Sequence, residues 1–132
     1  MIKPHHFLHV MLRVSDLTRS LEFYQNIMGL TLVRRKDYQE GRFTLAFLGY
    51  GPECETTVLE LTHNWDQTSY EIGSAYGHMA LAVQNIYDFC TALADIGVKI
   101  TRQPGPMAFD DTEIIAFIKD PDGYRIELIE KQ

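Results

Sequence analysis

The two halves of this chain carry the same landmarks in the same order, and that repetition limits the folds open to it more than any other feature. His9 and His78 each open a short alternating apolar run (HVMLRV and HMALAV) and stand 69 positions apart. Glu60 and Glu127 lie inside later apolar runs (VLELT and RIELIE), 67 apart, and Ala46-Phe47-Leu48 precedes Ala116-Phe117-Ile118 by 70. Three anchors that agree this closely indicate one supersecondary unit used twice.

Each copy reads as β-α-β-β-β. Residues 7–14 alternate and are rich in branched and aromatic side chains, as a half-buried strand requires. Ser15 and Asp16 can cap a helix whose apolar positions Leu17, Leu21, Phe23, Tyr24, Ile27 and Met28 recur at helical spacing up to Gly29. Strands are expected at 30–35, 43–50 and 56–62, set apart by polar or Gly/Pro turns. The second copy offers a strand at 78–83, a helix over 86–96 closed by Gly97, and strands at 98–102, 113–120 and 124–130. The chain, 1–132, is thus expected to be one α+β domain of two modules, about 7–63 and 76–130. Their link, about 64–77, contains Gly73 and Gly77 and is expected to hold a short helical turn.

Within a strand, alternate side chains share a face, so His9 lies with Met11 and Arg13. If the first and last strands of a copy pair, His9 and Glu60 become neighbours, as do His78 and Glu127. Closing two such faces on each other gives a cage of two imidazoles and two carboxylates. Burying two carboxylates without a cation is costly, so a divalent metal is the leading expectation. Mixed N and O donors suit Ni²⁺, Co²⁺, Fe²⁺, Mn²⁺ or Zn²⁺ and suit thiolate-seeking Cu(I) or iron–sulfur clusters poorly. Four protein ligands on an octahedral ion leave room for a substrate with adjacent oxygens, whose neighbouring C–H the ion would acidify. His5 and His6 read as solvated terminal residues, and His63 as a loop or pocket-rim residue.

A formal net charge of −6 removes the attraction that drives binding to nucleic acid or to an acidic membrane. With 45% hydrophobic and 23% charged residues the composition is globular, and no apolar stretch approaches the roughly 18 residues of a spanning helix. The opening MIKPHHF lacks the apolar centre of a secretion signal, so a cytoplasmic location is expected. Cys54 and Cys90 are far apart and outside any CxxC, which fits free thiols.

HVMLRVSDLTRSLEFY, the LAFLGYGPE turn, LELTHNW, AYGHMALAV and DPDGYRIELIE resemble, in order and spacing, the glyoxalase I (lactoylglutathione lyase) family. The likeness is to its short bacterial, nickel-type form within the vicinal oxygen chelate superfamily, and it covers about residues 7–130. It implies paired βαβββ modules in a homodimer with a metal site between chains, held by His9, Glu60, His78 and Glu127. It implies proton transfer converting the hemithioacetal of methylglyoxal and glutathione into S-lactoylglutathione, with Glu127 as base and Glu60 assisting from the opposite side. Arg13 and Asn64 match positions that contact glutathione, Arg102 stands near a second cation for its glycyl carboxylate, and Phe47 and Phe117 match apolar pocket positions. His78 belongs to the same substrate surface. Histidine at the first ligand position and the lack of extra loops resemble the nickel- or cobalt-activated class, with Zn²⁺ as the alternative ion.

Two positions depart from the family pattern. Ser74 stands where longer relatives carry arginine, and MAFDDTE (107–113) is acidic where relatives often have lysine and glycine. The competing expectations are a superfamily enzyme of other chemistry, a dioxygenase or epimerase, and a non-catalytic small-molecule binder. Such dioxygenases typically use two histidines and one glutamate, and such binders usually lose the ligand set, whereas all four positions are filled here.

Overall fold

Alternating apolar runs need strand partners, and in the computed structural model of residues 1–132 they find them in two four-stranded sheets, one in each half. The chain forms two compact units, Met1–Glu71 and Ile72–Gln132. Unit 1 contains β1 (His9–Arg13), α1 (Leu17–Leu21, running on as a π-helical segment Glu22–Ile27), β2 (Thr31–Tyr38), β3 (Phe43–Gly49) and β4 (Val58–Asn64). Unit 2 contains β5 (Met79–Val83), α2 (Ile86–Asp95), β6 (Ile100–Met107), β7 (Asp110–Lys119) and β8 (Arg125–Glu130). The sheet orders β1-β4-β3-β2 and β5-β8-β7-β6 are the same path taken twice. The first and last strands pair in parallel and the rest antiparallel, giving the α+β architecture of two βαβββ modules.

The helices form where caps and apolar spacing place them. Asp16 accepts a hydrogen bond from the Arg19 amide at 3.1 Å and starts α1, which buries Leu17 and Leu21, while Gly29 at φ +78° ends the helical path. In unit 2 the Glu130 carboxylate accepts from the Ile86 amide at 3.0 Å, so β8 itself caps α2. Ile86, Cys90 and Leu93 of α2 are buried, as are Ile118, Ile126 and Leu128 of the sheet. Each such aliphatic side chain contributes about 1.5–3 kcal/mol on leaving water.

Four local expectations are corrected. Residues 65–78 contain no helix, only a turn at 65–66 and a bend at 74–75. His78 precedes β5 rather than opening it, and His63 lies inside β4, opposite Thr44, rather than in a loop. Finally, β2 and β6 run past their apolar cores. In β2 the backbone ladder continues through the pairs Lys36↔Leu45, Asp37↔Thr44 and Tyr38↔Phe43, because hairpin pairing tolerates polar side chains on its outer face.

The β6 extension holds Pro104 and Pro106, which lack N–H donors, and its register with β7 shifts there. Arg102 supplies the missing donors, giving hydrogen bonds to the carbonyls of Gln103, Gly105, Ile115 and Pro106. The turn that launches β8 is equally defined. Asp120 accepts from the amides of Asp122 and Tyr124, both at 2.9 Å, and Gly123 takes φ +93°, where a side chain would be strained.

Candidate metal and substrate half-sites

Sheet register creates the same arrangement in each unit. In unit 1, Glu60 on β4 stands opposite Met11 on β1 and Phe47 on β3, and His9 is two residues before Met11. In unit 2, Glu127 on β8 stands opposite Ala80 on β5 and Phe117 on β7, and His78 is two residues before Ala80. The two-residue step keeps histidine and glutamate on one face. His9 Nε2 lies 3.9 Å from Glu60 Oε1, and His78 Nε2 lies 3.2 Å from Glu127 Oε1.

The imidazoles are about one-third exposed, whereas the Glu60 and Glu127 side chains keep only 13% and 15% of their surface. Neither carboxylate accepts a hydrogen bond from the rest of the chain, and each lies beside an imidazole and stands opposite a phenylalanine in register. A carboxylate so covered, with lone pairs unclaimed, suits a cation. Each unit therefore presents one nitrogen and one or two oxygens of the donor type that divalent first-row metals accept. No group of three or more His, Cys, Asp or Glu side chains comes together, and each unit contributes one histidine and one glutamate.

An aromatic ring and a guanidinium complete each half-site. His9 meets Phe47 edge-on with ring centroids 5.5 Å apart, and His78 meets Phe117 the same way at 5.1 Å. The Arg34 guanidinium carbon lies 3.6 Å from the Phe47 centroid, and that of Arg125 lies 4.5 Å from the Phe117 centroid. Arg34 also donates to Glu53 at 2.9 Å. That hydrogen bond, with the charges of Glu53, Tyr38 and Glu60 behind it and burial opposing, holds the Arg34 guanidinium above its usual proton affinity.

The remaining expected residues fall in different places. Arg13 is the last residue of β1, opposite Thr62 and on the His9 face. Asn64 ends β4 and donates to the Tyr70 hydroxyl at 3.1 Å. Arg102 is opposite Phe117, but its guanidinium is directed at the backbone carbonyls of the β6 bulge. Arg34 and Arg125 were not singled out from sequence. The signal for Arg125 was its two-residue separation from Glu127 on one strand; Arg34 carried none, because its place over Phe47 depends on the β2–β3 register.

With its duplicated βαβββ unit, the chain belongs to the Glyoxalase/Bleomycin resistance protein/Dioxygenase superfamily, whose family profile matches residues 6–128. Within it, the chain is 56% identical over 125 residues to a lactoylglutathione lyase of Neisseria meningitidis serogroup A, covering 95% of this chain and 90% of that one. Among solved structures it is similar to glyoxalase I of Zea mays, at 41% identity and a TM-score of 0.89 over 95% of this chain. The chain spans 44% of the length of that maize protein. The trypanothione-dependent glyoxalase I of Leishmania major matches at 42% identity and a TM-score of 0.87, covering 96% of this chain and 87% of that one.

Proposed function

We propose that the chain is a lactoylglutathione lyase, a glyoxalase I that isomerises the hemithioacetal of methylglyoxal and glutathione to S-lactoylglutathione and so detoxifies methylglyoxal. The observation that carries this reading is the His–Glu pair repeated at equivalent register positions in a chain 56% identical to a lyase of that name. The donor set fits one divalent cation held by His9, Glu60, His78 and Glu127, with Ni²⁺ as the proposed ion and Co²⁺ or Zn²⁺ as substitutes. When bound, the ion supplies Lewis acidity that makes the C–H beside a carbonyl more acidic.

The chain's own residues then do the proton work. A Glu127 carboxylate oxygen takes the proton from the carbon bearing sulfur and delivers it to the adjacent carbon, and Glu60 assists from the opposite side. Phe47 and Phe117 flank the reacting carbons and exclude water. Arg13 offers a forked cation for a carboxylate of glutathione, and Asn64 an amide for its peptide groups. Arg102 could join them only by giving up carbonyl bonds of the β6 bulge.

The proposed working form is a homodimer of modules about 7–63 and 76–130, with sites at the subunit interface. Phe7, Leu8, Val10 and Met11, exposed on and before the edge strand β1, support a surface of this kind. A cytoplasmic location is supported by the free thiols of Cys54 and Cys90. No helix is long and apolar enough to cross a membrane.

The test is direct. Metal-free protein is given Ni²⁺, Co²⁺ or Zn²⁺ in turn with methylglyoxal and glutathione, and thioester absorbance is followed. The expected result is thioester with at least one ion and none after chelation; a folded, metal-binding protein that yields no thioester with any of them refutes the reading.

A further inference from the structure

We propose that Arg125 determines substrate specificity by holding a carboxylate of the thiol half of the substrate beside Glu127, an inference that rests on the thiol–ketoaldehyde reading above. Arg125 opens β8 directly after the Asp120–Tyr124 turn, and it lies two residues before Glu127 on the same face of the strand. Its guanidinium sits over Phe117, which is opposite Glu127 in register and touches the edge of His78. Cation, ring, imidazole and carboxylate are therefore contiguous within unit 2.

What distinguishes this arginine is that nothing in the chain claims it. Arg125 is exposed, and its guanidinium makes no ion pair and donates no hydrogen bond within the chain. Its counterpart Arg34 is bound to Glu53 at 2.9 Å and lies closer on its ring, leaving Phe47 only 3% exposed. Phe117 remains part-exposed beneath Arg125. A planar fork with five free N–H donors, braced on an aromatic face, is suited to a carboxylate. In a chain of net charge −6 an anionic tripeptide needs such a local cation.

Calorimetry on the metal-loaded protein tests this, with S-hexylglutathione and its dialkyl ester as probes. Arg125→Gln is expected to weaken binding of the free acid about tenfold and to leave the ester unchanged, with Arg125→Lys recovering part of the loss. In turnover, KM for the glutathione adduct should rise by a similar factor while kcat stays within about twofold, the pattern of lost uniform binding. Equal binding of the acid by wild type and Arg125→Gln, or equal loss for acid and ester, overturns the inference and leaves the glutathione reading standing. A wild-type protein that binds neither probe overturns both.

Discussion

The two half-sites share a plan and differ in how much of it is left open. Both set histidine edge-on to phenylalanine, pair that phenylalanine with glutamate and lay a guanidinium on the ring. In unit 1 the loop joining β3 to β4 covers residues 50–57 and carries Glu53 to Arg34; in unit 2 the corresponding loop is 120–124, a tight turn with no such acid bound to Arg125. Loop length thus decides whether an acid from the loop reaches the arginine. A repeat conserves the sheet and lets its loops diverge, because loop insertions disturb few packed contacts.

The largest expected effect tests whether the two glutamates are equivalent. Glu127→Gln should lose at least about a hundredfold in turnover, the scale of a general base, while keeping the fold by circular dichroism and much of the metal affinity. Glu60→Gln should lose less, and equal losses in a steady-state assay would erase the functional difference between the halves. Next come the rings. Phe47→Ala should cost about 3–5 kcal/mol in chemical denaturation, as for a buried aromatic, and Phe117→Ala less, because part of its surface is already wet. Equal costs would mean that the exposure difference has no energetic weight.

The smallest effect concerns the pair that separates the halves. Glu53→Gln should lower stability by no more than about 1 kcal/mol, since Arg34 and Glu53 keep 51% and 35% of their side-chain surface and water screens them. A larger drop in the denaturation midpoint would show Glu53 to be a structural anchor of the β3–β4 loop rather than a partner that occupies Arg34.

Much of the fold was legible because duplication and alternation are sequence properties. The order β-α-β-β-β in each half follows from anchors about 70 residues apart, and the adjacency of histidine to glutamate follows once the first and last strands of each copy pair, as they do. Element ends were less legible. Antiparallel pairing carried β2 on to Tyr38 through charged residues, and the proline-containing end of β6 stayed a strand because Arg102 supplied donors the backbone lacked. The helical turn expected in the link did not form; that segment is organised instead by contacts such as Asn64 with Tyr70 and Ile72 against Gly123. Of the candidate site, the two His–Glu pairs could be read from the repeat, whereas the different fates of Arg34, Arg102 and Arg125 could not.

By itself the sequence determined that a single unit occurs twice, that each copy carries one imidazole and one carboxylate on a strand face, and that an anionic chain needs local cations to meet an anionic ligand. The tertiary structure alone decided which arginine is available. Hydrogen bonding to Glu53 or to bulge carbonyls consumes a guanidinium's donors, and Glu53 and Ile115, 19 and 13 positions away in sequence, are brought near only by strand register and loop length.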